Sequence, residues 1–371
     1  MARVRFLFAA VSLVIITGLS QCRKDIPKAS DVTWAGATPY DFQVPEGFPP
    51  AFIPADNPMT VEGIELGRFL FYDKRLSKDL SMSCGSCHEP HNAFSNRTAK
   101  SVGIHGHQTR RNSMPLFNLA WQENFFWDGR TVSLEEQALL PVTDQIELDN
   151  DWITVVARLE ADSIYPDKFE KAFGPGPITK ENAAKAIAQF ERSIVSANSE
   201  FDQVVRLKTK GTFDDPLAAA GKAFFETAFP NGADCSHCHG IGETSYIMGS
   251  YGLIQFSNNG LKDSAGEMLD RGHEEVSGNS DHRAKFRIPS LRNLMFSSPF
   301  MHDGSIPNID SLVTFYNIGS HRNRTTDPNM ETAGRNNQWT IQQQEGLKAF
   351  LRSLSDHSFR ENPAYQNPFL P

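Results

Sequence analysis

Two copies of one five-residue pattern, Cys84-Gly85-Ser86-Cys87-His88 and Cys235-Ser236-His237-Cys238-His239, constrain this chain more than anything else in it. Two thiols about one helical turn apart, followed at once by an imidazole, form the C-x-x-C-H pattern of c-type haem attachment. The thiols bond the two vinyl-derived carbons of the porphyrin and the histidine is aimed at the iron. Cys84, Cys87, Cys235 and Cys238 are therefore the expected attachment residues, with His88 and His239 as proximal ligands. Four cysteines could instead hold zinc or form thiol redox pairs. Two copies that each end in His, in a chain with an export signal, select haem. At 371 residues the chain is long enough for two domains, each burying its own core.

The export signal is read at the N-terminus, where Arg3 and Arg5 precede an apolar stretch from Phe6 to Leu19 that is shorter than a membrane-spanning helix. Leu19-Ser20-Gln21-Cys22 resembles a lipoprotein cleavage box, with Gln21 departing from the small residue expected there. Cys22 is thus either lipidated, giving a lipid anchor, or lies beside an ordinary cleavage point. Either outcome places the mature protein in the periplasm. After the first 20 residues no apolar run could span a bilayer, and 39% hydrophobic with 22% charged residues is the make-up of a globular body. A formal net charge of -8 argues against a nucleic-acid-binding face.

The pattern of apolar residues is mainly helical. Thr60 is a candidate N-cap, with Glu62 in the first turn and Ile64, Gly67 and Phe71 on one face; Gly63 stands where a capping box would want Glu or Gln. Gly67-Arg68-Phe69-Leu70-Phe71 before Cys84 is echoed by Gly221-Lys222-Ala223-Phe224-Phe225 before Cys235, an internal repeat. A helix capped by Thr179 carries Ala183, Ile187, Phe190 and Ile194. A second, starting at Thr340 with Gln343 completing a capping box, carries Leu347, Phe350, Leu351 and Leu354. Residues 240–285 are rich in Gly, Ser, Asn and charge and read as a long irregular loop. The expected fold is mainly α, with two cytochrome c-like haem domains in tandem and long irregular loops. The expected boundaries are a signal at 1–22, an extended lead-in at 23–58, an N-terminal haem domain at 59–201, a linker at 202–215 and a C-terminal haem domain at 216–371.

Between and around the haem motifs, the segments LGRFLFYDKRLSKDLSMSCGSCH, FFWDGRTVSLEEQALLP, FRIPSLRNLMFSSPFMHDGS and LVTFYN follow one another from about residue 60 to 355. In this the chain resembles the bacterial di-haem cytochrome c peroxidase and MauG family. The resemblance implies that hydrogen peroxide meets the N-terminal haem and that the C-terminal haem relays electrons to it. It places Trp127 between the haems, Glu147 as the catalytic acid/base and Gln137 in the same pocket. It implies an inter-haem calcium held by the Asn112 side chain and the backbone carbonyls of Ser297 and Pro299, hard oxygen donors that suit that ion. It sets His105 as the loop histidine that caps the first haem, with His107 nearby leaving the register open. For the C-terminal haem it puts Tyr316 where other peroxidases of the family place methionine, as MauG-type enzymes do; Met301, in PFMHDG, is the rival.

The activity so implied is peroxide reduction, with electrons from a small cytochrome c or a cupredoxin, by a chain that could work as a homodimer. A MauG-like oxidation of residues in a partner protein is the alternative within the family. A di-haem electron-transfer module without turnover is the alternative outside it, and Glu147 with Gln137 speak against that.

Overall fold

The computed structural model describes residues 34, 36–239, 256–262, 270–331 and 338–370. The signal segment, Cys22 and the first part of the lead-in lie outside the described residues. The fold is mainly α, as expected. Helices α1 (Val61–Tyr72), α2 (Leu134–Thr143), α3 (Trp152–Glu160), α4 (Tyr165–Phe173) and α5 (Lys180–Ser193) enclose one core, built on Leu66, Leu70, Val155, Tyr165 and Ile187. Helices α6 (Leu217–Glu226), α7 (Ile309–Thr314) and α8 (Ile341–Ser353) enclose another, built on Phe201, Phe225, Leu312 and Phe350. A two-residue pair, β1 (Phe256–Ser257) antiparallel to β2 (Phe286–Arg287), is the sheet found among the described residues.

The sequence repeat has a structural counterpart in two helix crossings. A β-carbon on Gly67 of α1 would lie 1.9 Å from the Ala186 carbonyl oxygen of α5, and one on Gly221 of α6 would lie 1.8 Å from that of Gly346 in α8. Both glycines are there because the helices touch backbone to backbone. Each crossing fixes the helix that leads toward a C-x-x-C-H turn.

The helix starts follow their caps. Thr179 accepts from the Asn182 amide, and Thr340 and Gln343 form the complete capping box. At α1, Thr60 accepts from the Gly63 amide, but the partner missing from the local sequence comes from across the crossing: the Thr60 amide donates to Gln189 Oε1 of α5 at 2.9 Å. Gly63 leaves the space for it, since a β-carbon there would stand 2.2 Å from that oxygen.

An aromatic cluster joins the halves, with Phe71, Phe94 and Phe190 against Phe296, Phe359 and Tyr365. The C-terminal segment is tied back to α1 and α5, as Tyr72 Oη donates to the Tyr365 carbonyl at 2.7 Å and Tyr365 Oη to the Ser193 carbonyl at 3.0 Å. The lead-in packs Phe48 edge-on against Trp121. The expected linker is more than a tether at its start. Asp202–Arg206 is a buried π-helical turn, and Asp202 takes two hydrogen bonds from Arg292 and one from Arg206.

Candidate active site

Both C-x-x-C-H stretches wind into one turn. The His88 amide donates to the Cys84 carbonyl and the His239 amide to the Cys235 carbonyl, each at 3.0 Å. Ser83 caps the first of these turns reciprocally with Ser86. Gly85 is required by Tyr72, whose ring would lie 2.4 Å from a β-carbon placed there.

The two histidines are prepared in the same way. His88 Nδ1 lies 2.7 Å from the Phe94 carbonyl oxygen and His239 Nδ1 lies 3.2 Å from that of Pro289. A carbonyl only accepts, so Nδ1 carries the proton and Nε2 is the nitrogen that can bind a metal. Burial lowers the proton affinity of both rings, that of His239 to about 4, so both stand neutral, the form that ligates iron. Each ring opens on a cavity. That at His88 measures about 620 Å³, and that at His239 is an apolar slot of about 160 Å³ lined by Phe225, Leu291, Leu294 and Leu351 among others. Paired thiols, an oriented neutral imidazole and an adjoining cavity fit a covalent haem at each place.

Glu147 and Gln137 line the first cavity together with His88. α2, started by Ser133 accepting from the Glu136 amide, carries Gln137, and the turn after it, closed by the Glu147 amide on the Asp144 carbonyl, carries Glu147. Burial, with Asp144 nearby, pushes the Glu147 carboxyl up to about 7, and Arg130 opposes the rise. Gln137 Oε1 is buried with no hydrogen-bond partner. Glu191 of α5, which the sequence reading missed, borders the same region beside Cys84; burial pushes its carboxyl up to about 8 and its Oε2 is unpartnered.

Trp127 borders both cavities. Its Nε1 donates to the Asn112 carbonyl at 2.9 Å, which locks the ring between them. Arg287 of β2, also missed in the sequence, is the other described residue bordering both, and its amide donates to the Trp127 carbonyl at 2.8 Å.

In the second cavity Tyr316 and Met301 stand together. Asn259 Nδ2 is 3.4 Å from Tyr316 Oη and 3.3 Å from Met301 Sδ, so one amide serves both candidate ligands. Tyr316 sits on a π-helical turn, Phe315–Gly319, a local distortion often found at functional sites. Burial pushes its hydroxyl up to about 12, against the hydrogen bond from Asn259.

His105 is exposed on its loop. Its Nε2 lies 2.8 Å from the Asp149 carboxylate on the surface, and neither it nor His107 borders the first cavity. The loop is closed on itself, the Thr109 amide reaching the Ser101 carbonyl and the Gly103 amide the His107 carbonyl. It is pinned to the turn that carries Glu147 by the Ile104 amide on the Glu147 carbonyl, which directs His105 outward. Asn112 spends its side-chain Nδ2 on the Thr98 and Ala99 carbonyls. The Asn112 amide donates to the His302 carbonyl, bringing it to the segment that follows Ser297 and Pro299.

A mainly helical chain with two such turns is a di-haem c-type protein in architecture. The family model for di-haem cytochrome c peroxidases matches residues 61–210. The chain is 32% identical over 331 residues to the methylamine utilization protein MauG of Methylorubrum extorquens, covering 89% of this chain and 86% of that one. It is 30% identical over 317 residues to the cytochrome c551 peroxidase of Pseudomonas aeruginosa, covering 85% and 83%. Among solved structures, that of a MauG-like protein associated with microbial copper homeostasis superposes with a TM-score of 0.77 at 31% identity, covering 89% of this chain and 100% of that one. The chain belongs to the di-haem cytochrome c peroxidase family, and with it to the oxidoreductases that carry two c-type haems.

Proposed function

We propose that this protein reduces hydrogen peroxide to water at the His88 site, with two electrons delivered through the His239 site from a small cytochrome c or a cupredoxin in the periplasm. In this reading residues 59–201 hold the peroxidatic haem and 216–371 the relay haem. The observation that carries it is Glu147, a carboxyl at about 7 facing the His88 cavity beside the unpartnered Gln137 Oε1. A haem held by Cys84, Cys87 and His88 would supply the iron chemistry that splits the O–O bond. Glu147 takes a proton from the near oxygen and returns it to the departing far oxygen, which a group half-ionised near neutral pH can do in both directions. Gln137 Oε1 accepts a hydrogen bond from the peroxide. Two electrons and two protons then close the balance at two waters. Asn112 Oδ1, with the Ser297 and Pro299 carbonyls, would hold the inter-haem calcium.

A haem-stained denaturing gel and an alkaline pyridine spectrum test the cofactor content, with two covalent haems per chain expected. Steady-state assays test the activity: peroxide is consumed with two equivalents of reduced cytochrome c or cupredoxin oxidised per peroxide. A chain that holds both haems yet leaves these donors reduced, and instead oxidises residues of a partner protein, belongs with MauG in function.

Tyr316 is proposed as the second ligand of the C-terminal haem. A phenol oxygen is a harder donor than a thioether, so it favours ferric iron and lowers the potential. The Tyr316→Phe variant is expected to change the spectrum of the C-terminal haem, and Met301→Leu to leave it unchanged. A spectrum altered by the methionine change alone removes Tyr316 from the iron.

A further inference from the structure

Among the described residues Arg287 is a buried cation without an anion. Its residue is 7% exposed, and its closest polar contacts are weak: the Phe126 carbonyl oxygen is 3.4 Å from Nε and the Met114 sulfur is 3.5 Å from Nη2. The other buried arginines among the described residues are each matched with a carboxylate. Arg111 bonds Asp128 and Asp270, and Arg292 bonds Asp202 with both of its terminal nitrogens. A guanidinium taken out of water and left unpaired costs several kcal/mol, so a fold retains one only where a counter-charge arrives. Arg287 lines both cavities, and β2 fixes it there through the amide bond to the Trp127 carbonyl and the register of Phe256 with Arg287. No carboxylate among the described residues fills that role, while each haem that the two sites are read to hold carries two carboxylate side chains of its own.

We propose that Arg287 is the counter-charge shared by the two haems, its guanidinium fork pairing with porphyrin carboxylates beside Trp127 and so tying the potentials of both sites to one residue. Planar, bidentate pairing is what arginine offers a carboxylate. It acts as a positioning and tuning residue, outside the peroxide chemistry. Because it rests on both cavities holding haem, the haem count described above fails separately from it.

The test uses the holoprotein with Arg287→Gln and Arg287→Lys, read by spectroelectrochemistry of each haem and by the propionate bending bands in resonance Raman spectra. With both haems still attached, the Gln variant is expected to lower the potential of both, since a positive charge near the iron favours the ferrous state. The expected size is a tenfold or larger shift in each one-electron equilibrium, equivalent to about 59 mV or more. The propionate bands are expected to move as well. The Lys variant keeps the charge and is expected to recover most of the potential while its propionate bands stay shifted, because the fork is gone. A shift confined to one haem overturns the sharing, and propionate bands that do not move in either variant overturn the pairing.

Discussion

Replacing Glu147 by glutamine is expected to cut peroxide turnover roughly a hundredfold or more, the typical cost of losing a positioned acid/base, while both haems stay attached. The amide fills the same space but can neither take the first proton nor return it. The expected pH behaviour follows from the raised carboxyl. In the native enzyme the ionised form accepts the proton, so kcat/KM rises as pH passes through about 7, and in the Gln variant that limb is absent. Stability supplies an independent reading. A carboxyl whose folded-state value lies above its ordinary one binds its proton more tightly when folded, so stability falls as pH rises from the ordinary carboxylate range to about 7. The Gln variant escapes this loss and is expected to gain in Tm over the native protein at pH 8 but not at pH 4. Unchanged turnover together with that gain in Tm would leave Glu147 buried but outside the mechanism.

Asp202→Asn is expected to lower stability by about 3–5 kcal/mol, the usual consequence of removing one partner of a buried ion pair. Asp202 is fully buried, accepts from Arg292 at 2.7 and 2.5 Å and from Arg206 Nε at 2.8 Å, and also takes the Ser199 amide and hydroxyl. The neutral side chain would leave two guanidinium groups buried without their anion. Those hydrogen bonds hold the Asp202 carboxyl well below the usual carboxylate range even against burial, so its contribution is present at neutral pH and is lost only as pH falls below that range. Denaturant midpoints at pH 7 measure the effect, and an Asp202→Asn, Arg292→Met double variant is expected to recover part of it. Because the pair joins the start of the inter-core connection to the segment that follows β2, weakening it is also expected to loosen the connection from the second core.

What could be read in the sequence was whatever depends on neighbours along the chain. The C-x-x-C-H spacing needs only five consecutive residues, and the capping box of Thr340 with Gln343 needs four; both have the expected local form. The repeated glycines were visible as a pattern, but their reason was not. It lies in the Ala186 and Gly346 carbonyls, each more than a hundred residues away in sequence. The same limit applies to Gln189, which completes the cap that the sequence around Thr60 leaves open.

The site divides along that line. Composition, charge and motif spacing by themselves pointed to a globular, mainly helical chain with two C-x-x-C-H turns and named the histidine at the end of each as the expected iron ligand. Tertiary structure decided which polar groups share a cavity, because burial and unpaired charge are properties of packed elements and not of residue order. It raised the Glu147 carboxyl, set Asn259 between Tyr316 and Met301, and sent His105 to Asp149 through the closed loop that carries it. It also brought Arg287 against Trp127 at the wall common to both cavities, 160 positions apart in the chain and joined there by one backbone hydrogen bond.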